Sequence, residues 1–449
     1  MAKTEPLAVF SHLDGTWVPC GRLTMTQEGA QTIGSSFAYG TRYLDRANAL
    51  EVDPVSLSLK YKSDIRAKEL LPPAGLPLFG GIRDAAPDAW GRRVIEAKLK
   101  VPPNSLPESA YLLHAGSDRV GALDVRPALQ SAATPGVDQV KSLKYLIEAA
   151  DRIEAGLPIP ANLEPIFVAG TALGGARPKA SVRDKAGVLW LAKFSAKKET
   201  IDLPWVEYGT LELARAIGFV VPTVKIEKIG DRTAMLIQRF DRYWDLPDSP
   251  AVHAGADALA LANPGGARVE KRLAFVSALT LLGCHEADSI TKSYGDVAEA
   301  IRKHCAPEAV IADNKDLYRR MVYNIFVTNN DDHLRNHGFV WDPKYLGWRL
   351  SPLYDVTPNT SAAHDRYLHL SVGPQGKHAH LDNALASHGL FRLSQTGAAQ
   401  IIAQVWEHVR AWRVLFENSG VPEDQIERIS SAFRNIDDVS SAEGRKRIL

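Results

Sequence analysis

The sequence predicts an α+β chain of two lobes, strand-rich to about residue 242 and all-helical beyond. Three observations carry that expectation. Before residue 242 the apolar residues fall in short runs broken by Gly, Pro and Asp-Gly pairs. From about residue 268 they recur at helical spacing. Between the two, Asp245 to about Gly266 is rich in Pro, Ala and Gly and reads as loop. At 449 residues the chain is too long for one ordinary core. It divides into a β-rich N-terminal module over 1–128, a second β lobe over 129–242 and a helical lobe over 243–449.

Composition narrows the class. Apolar content of 45% with 23% charged residues is that of a globular protein. The start, MAKTEPLAVF, has no long apolar segment, and no run approaches the length of a membrane span. Fifty-three basic against 52 acidic side chains leave a net charge of +1, which gives no footprint for tight non-specific nucleic-acid binding. Cys20, Cys284 and Cys305 are too few and too far apart for a disulfide framework or a zinc site. A reducing cytoplasm is the expected location.

In order, residues 7–26 read as a hairpin whose runs meet at Asp14-Gly15, a favoured tight-turn pair. The chain stays strand-like to about residue 62, with Pro54-Val55-Ser56-Leu57-Ser58-Leu59 alternating apolar and small residues. Gly80-Gly81-Ile82-Arg83-Asp84 and Pro87-Asp88-Ala89-Trp90-Gly91-Arg92-Arg93 read as a turn into a helix. Asp84 or Asp88 can cap it, with Trp90 as anchor and the arginines solvated. Gln130 to Gly136 is a surface loop or linker, and a helix from about Val140 to Ala155 stops before Pro158 and Pro160.

Gly170 to Lys179 is a glycine-rich loop between extended segments. Without side chains, backbone N–H groups approach phosphate oxygens closely, and Arg177 and Lys179 add charge. Gly174, Gly175, Ala176, Arg177 and Lys179 are therefore candidate phosphate-binding positions. The loop is neither a Walker A sequence nor G-x-G-x-x-G, and Pro178 removes one donor. Strands at Ala180–Arg183 and Val188–Phe194 follow, joined at Asp184-Lys185-Ala186-Gly187. Lys193 in the second would ordinarily be a solvated lysine. Behind a glycine loop and a hairpin it reads as the lysine on the α/β-phosphates of ATP. An amphipathic helix, Trp205 to Ile217, ends at Gly218 and offers Glu207 or Glu212 as its partner. Strands at Thr223–Lys228 and Thr233–Gln238 lead into Arg239-Phe240-Asp241-Arg242. There the backbone near Gln238 and Phe240 can read adenine, and Asp241 either reaches the ribose or pairs with Arg239 or Arg242.

Arg268–Leu282 and Asp316–Thr328 carry apolar residues at helical spacing, the latter with Asp313 or Asn314 as cap. The second helix feeds Asn329-Asn330-Asp331-Asp332-His333-Leu334-Arg335-Asn336. Phosphoryl transfer needs a carboxylate that receives or orients the acceptor hydroxyl, and an amide oxygen and a second carboxylate that hold magnesium. Asp331 and Asn336 stand at the interval at which protein kinases carry the first two. Trp348-Arg349-Leu350 reads as a strand delivering Asp355, the second metal carboxylate, with Tyr354 packed in the core to fix it. Asp332 is an alternative base by adjacency. Runs of Asn and Asp also close turns and cap helices, so the ordered set, not the loop alone, is specific. Asn359 to His380, with four His at no metal-ligand spacing, reads as a mobile loop. Ile401 to Phe416 reads as one helix with Val405, Trp406, Val409 and Trp412 on one side.

With these residues assembled, the chain resembles the HipA family of serine/threonine kinases, toxins of bacterial toxin–antitoxin modules. The likeness runs over nearly the whole length: PVSLSL, PD-x-WGRR, GGARPKA, QRFDR, NDDHLRN and LSPLYDVTP. It implies a kinase-like two-lobed fold, with ATP and Mg2+ as cofactors and ATP between the lobes. Asp331 then looks like the catalytic carboxylate, Asn336 and Asp355 like the magnesium ligands, and His333 like a family His beside the phosphates. Family members commonly carry a serine in the glycine-rich loop whose autophosphorylation shuts the kinase off. That position falls on Ala172, so the resemblance implies that self-inactivation is lost or moved to Thr171. It further implies a translation protein, often an aminoacyl-tRNA synthetase, as substrate and growth arrest or persistence as outcome. The implied partner is a HipB-like helix-turn-helix antitoxin, through which any DNA contact would be made. Two other readings use the same motifs: a small-molecule phosphotransferase, and an inactive nucleotide-binding corepressor. Retention of Lys193, Asp331, Asn336 and Asp355 favours an active enzyme.

Overall fold

Sheet and helix are both present throughout, and in the computed structural model the chain divides into two compact units. One comprises Met1–Ala196 with Ile229–Val276, the other Lys197–Lys228 with Ser277–Leu449. The structure describes residues 2–137, 142–170, 175, 177–195, 199–244 and 269–449. Thr171, Ala172, Gly174 and Ala176 lie outside these, as does the stretch expected as loop from Asp245 to Gly266.

The first unit opens with a four-stranded antiparallel sheet in the order β3-β2-β1-β4, made by β1 (Lys3–Leu13), β2 (Thr16–Glu28), β3 (Gln31–Tyr39) and β4 (Leu123–Arg126). Leu13 pairs with Thr16 across a two-residue turn in which both Asp14 (φ 47°) and Gly15 (φ 85°) are left-handed, the conformation that the pair was expected to supply. Leu7, Val9, Leu23, Met25 and Phe37 form its core with Phe79 and Leu112. The PVSLSL stretch is not a strand. The buried carboxylate of Asp53 accepts the N–H groups of Val55, Ser56 and Leu57 and folds the segment into a turn, so the apolar alternation reflects a local side-chain cap.

The second sheet of this unit contains β5 (Lys179–Arg183), β6 (Leu189–Phe194) and β8 (Arg232–Gln238), with β6 in the middle. β7 (Val224–Ile229) and β11 (Phe275–Ser277) carry the chain across the division between units. The glycine-rich loop is entered from a helical turn, Ile166–Ala169, and not from a strand. Trp90 and Val94 pack into the core of this second sheet with Ala180, Ala192 and Leu236. Within the first unit, residues of the module expected over 1–128 thus pack into the core of the sheet that holds β5, β6 and β8.

Buried and half-buried ion pairs add to the packing of this unit. Asp241 accepts hydrogen bonds from Arg239 (2.6 Å), Arg242 (2.7 Å) and the N–H of Gly121 (2.8 Å). Asp118 pairs with Arg272 at 3.1 Å, and Arg183 with Glu270 at 2.7 Å. The helix expected over Arg268–Leu282 is replaced by β10 (Glu270–Arg272), β11 and a short helix, Ala278–Leu281. β10 pairs with β9 (Arg242–Trp244), so its charged side chains serve this lattice and not a helix face.

In the second unit the helix Val310–Val327 runs through the core, buried at Leu317, Tyr318, Met321, Val322, Tyr323, Ile325 and Phe326. It begins before the expected Asp316. Asp313 lies inside it and binds Arg349 (2.7 Å) and the N–H of Leu350, so it anchors a strand and caps nothing. That strand, β13 (Gly347–Leu350), pairs with β12 (Gly338–Asp342), so this unit is not all-helical. The expected helix Ile401–Phe416 is two, Gln395–Val409 and Trp412–Asn418; past the break Trp412 stacks on Phe433 at 3.9 Å. Residues 359–380 form no long element, yet Leu368, Leu370 and Val372 are buried on one face, so the segment expected to be mobile is packed. Among the described residues no helix is long and apolar enough to cross a membrane. Cys20, Cys284 and Cys305 are buried thiols.

Candidate active site

The loop after Val310–Val327 starts with a strained residue. Thr328 takes a left-handed conformation (φ 52°), unusual for a β-branched side chain. Its hydroxyl holds it there, bonding the carbonyl of Ala432 and accepting from Arg366 (2.6 Å). Three residues on, Asp331 is exposed, between buried Asn329 and buried Asp332. The carbonyl of Asp331 accepts from the N–H of His333 (2.8 Å) and from the amide Nδ2 of Asn336 (3.0 Å). That second bond fixes the amide orientation, because only the NH2 side can donate to a carbonyl. The Oδ1 of Asn336 is left as the amide's acceptor atom.

Asp355 is the second left-handed residue of the site (φ 58°). Tyr354, half-buried and not in the core as expected, donates its hydroxyl to the carbonyl of Arg335 at 2.8 Å. Arg335 belongs to the Asp331–Asn336 loop, so this bond ties the segment carrying Asp355 to the segment carrying Asn336. Such conformations persist where the surroundings over-determine them, and they cluster at functional sites. His333 is half-buried and meets His369 edge-on, with ring centroids 6.0 Å apart. His369 bonds the hydroxyl of Ser289 (3.0 Å), which accepts the N–H of Leu334. Burial, and then His333, push the His369 imidazole below its usual value.

Asp332 is not an available base. Tyr294, Asn324 and His337 all donate to its Oδ2. Burial works to raise its pKa, but the adjacent His337 and these hydrogen bonds outweigh it and hold the carboxyl below the usual range. Asp331, Asn336, Asp355 and His333 thus come together on two linked segments. Sequence reasoning missed Tyr294, Asn324, Ser289, His369 and Thr328. Asn324 had a signal, since it follows Leu317 and Met321 at helical spacing on a buried face, where an amide is out of pattern.

In the first unit two of the expected phosphate-binding residues, Lys179 and Lys193, share one sheet end. Lys179 and Lys193 are directly opposed across β5 and β6, so both side chains rise from the same face. Lys179 lies so close to Gly175 (φ 85°) that a Cβ there would overlap its Nζ. Arg177 is exposed, Gln238 is buried opposite Trp190, and Phe240 is half-buried beside Phe275. Asp241, expected to reach a ribose or pair with its arginines, is buried and does the latter.

The PD-x-WGRR segment supports this loop. Asp88 sits at the N-cap of the helix Ala89–Leu99 but caps nothing; its carboxylate accepts the N–H of Gly175. Trp90 donates its backbone N–H to the carbonyl of Gly175 (3.1 Å) and its indole Nε1 to that of Lys179 (2.8 Å). Arg92 is not simply solvated but pairs with Glu108 at 2.7 Å, whereas Arg93 is exposed. Trp90→Phe keeps the ring and leaves the Lys179 carbonyl unbonded in the core. Denaturation should show a loss of about 1–3 kcal/mol, and nucleotide titration a weaker affinity; no change in either would remove Trp90 from the support of the loop.

Residues 171–413 match the model of the HipA-like C-terminal domain. The chain belongs to the HipA-like family. Among relatives of this HipA-like chain is "Putative kinase Y4mE" of Sinorhizobium fredii, 28% identical over 342 residues, 74% of this chain and 73% of that protein. A "Putative kinase" of Haemophilus influenzae is 27% identical over 154 residues; these span 33% of this chain but only 39% of the relative. A solved structure with the same fold is HipA of Shewanella oneidensis MR-1, described in a complex with HipB and operator DNA. It is 15% identical, with a TM-score of 0.62 over 94% of each chain.

Proposed function

We propose that this chain is an ATP-dependent serine/threonine protein kinase. The observation that carries the reading is the coupling of three groups: exposed Asp331, Asn336 bonded to its carbonyl, and Asp355 tied through Tyr354 to the same loop. Asp331 would orient the hydroxyl of the acceptor and take its proton as the new P–O bond forms and the bond from the γ-phosphorus to the β,γ-bridging oxygen breaks, releasing ADP. Lys179 and Lys193 would hold phosphate oxygens, and His333 would serve the same reaction from the Asp331 loop. Asn336 and Asp355 would hold Mg2+, an all-oxygen set of the kind it prefers when substrate phosphates and water complete its shell. That ion would supply charge neutralisation at the transferring phosphoryl group.

The substrate is proposed to be a protein of translation such as an aminoacyl-tRNA synthetase, with growth arrest as the consequence, in a cytoplasmic setting. A HipB-like antitoxin is the proposed partner. The relative of known structure is described with HipB and operator DNA, and the +1 net charge of this chain favours DNA contact through such a partner.

Calorimetric titration with ATP, with and without Mg2+, tests the reading. Wild-type protein should bind in a Mg2+-dependent way, and Asp355→Asn should lose that dependence. Tyr354→Phe should weaken it by about 0.5–1.5 kcal/mol, the contribution of one hydrogen bond. Binding indifferent to Mg2+ in all three proteins would contradict the assignment of Asn336 and Asp355.

A further inference from the structure

The motif interval accounts for Asp331 and Asn336 but not for Asp332, and the structure gives Asp332 an unusual setting. A single oxygen, Oδ2, accepts from Tyr294 Oη (2.6 Å), Asn324 Nδ2 (2.7 Å) and His337 Nε2 (2.9 Å). These donors come from the helix Tyr294–His304, the helix Val310–Val327 and the start of β12. Asn324 is used on both sides of its amide: its Oδ1 accepts from Asn329 Nδ2 at 3.1 Å, and its backbone carbonyl accepts the Asn329 N–H at 3.0 Å. Asn329 and Asp332 are therefore pinned to one buried residue, at 1% and 4% exposure, while Asn330 and Asp331 between them face outward.

A loop held at both flanks leaves its exposed carboxylate little freedom beyond its own torsions. Misplacing a reacting group by about 1 Å can cost on the order of 10²-fold in rate. Stability alone does not account for the cluster, because well-packed apolar residues in place of a buried charged group are often neutral or stabilising. Resting on the phosphotransfer reading of Asp331, we infer that Asp332 is a positioning residue. Through Tyr294, Asn324 and His337 it fixes the loop that presents the catalytic carboxylate, and it takes no proton itself.

The test uses the full chain with Mg-ATP and follows ATP turnover and amide hydrogen exchange. Asp332→Ala removes the oxygen on which all three donors converge. It should lower kcat by about 10–100-fold, the range for groups that orient a reacting residue from behind, with KM for ATP little changed. Exchange across 328–337 should rise while the first unit stays protected. In an Asp331→Asn background the same change should cost no further activity, whereas a general loss of structure would lower both backgrounds alike. Tyr294→Phe keeps the ring and two of the three donors, and should show the same pattern with a smaller loss. Equal, additive losses in both backgrounds, or unchanged exchange across 328–337, would overturn the inference. Equal turnover by wild type and Asp331→Asn would instead overturn the kinase reading, and the exchange result would then decide the role of Asp332 by itself.

Discussion

Asp331→Asn lowers the rate of phosphoryl transfer from ATP by about 10²–10⁴-fold, the range expected when a positioned general base is removed. Nucleotide affinity changes little, because the side chain is exposed and only its backbone carbonyl serves the local scaffold. The amide is close in size to the carboxylate and leaves the bonds from His333 and Asn336 to that carbonyl intact, so folding should be unaffected. A steady-state assay of both proteins at saturating Mg-ATP measures the effect. A variant with more than about a tenth of wild-type turnover would move the proton-accepting role away from Asp331. Asp332 could not inherit that role, since its carboxylate is buried and holds three hydrogen bonds.

The second large effect concerns stability. Asp241→Ala should destabilise the first unit by about 3–5 kcal/mol, the cost of leaving one side of a buried ion pair uncompensated. Arg239 and Arg242 would both lose their shared carboxylate, and the Gly121 N–H its acceptor. The effect should depend on pH. Burial opposes the charge on Asp241, but Arg239, Arg242 and the Gly121 N–H outweigh it and hold the carboxyl well below the usual range. A group with a depressed folded pKa stabilises fully above its unfolded value, about 3.9 for Asp, and loses that contribution as pH falls towards the folded value. The gap between wild type and variant should therefore be constant near neutrality and narrow on acidification below about pH 4. Chemical denaturation across that range measures it; a loss under about 1 kcal/mol at neutral pH would show that the lattice is dispensable.

Much of the site was legible because its chemistry sets a sequence interval. Asp331, Asn336 and Asp355 could be found by spacing and by the helix and strand that deliver them. The β5–β6 hairpin with Lys193 was legible because period-two apolarity and a glycine-containing turn are local signals. What failed was non-local. Nothing near Asp241 in sequence says that Gly121 and Asp118, more than a hundred residues earlier, fold against its arginines, so its pairing with Arg239 and Arg242 could only be set beside a ribose contact. Trp90 read as a helix anchor, and only the fold shows that it carries the carbonyls of Gly175 and Lys179. The PVSLSL run alternates like a strand, but one carboxylate at Asp53 satisfies the local N–H groups and turns it. Thr328 and Asp355 are left-handed for tertiary reasons, which a sequence pattern does not encode.

The central claim is that the Asp331 loop transfers the γ-phosphate of ATP to a protein hydroxyl. Incubating wild type and Asp331→Asn with Mg-ATP and a cytosolic extract, then mapping new phosphosites by mass spectrometry, tests it directly. The account predicts phosphate on serine or threonine of a protein of translation with the wild type and none with the variant. ATP bound but no protein phosphorylated, or the same sites with both proteins, would contradict it.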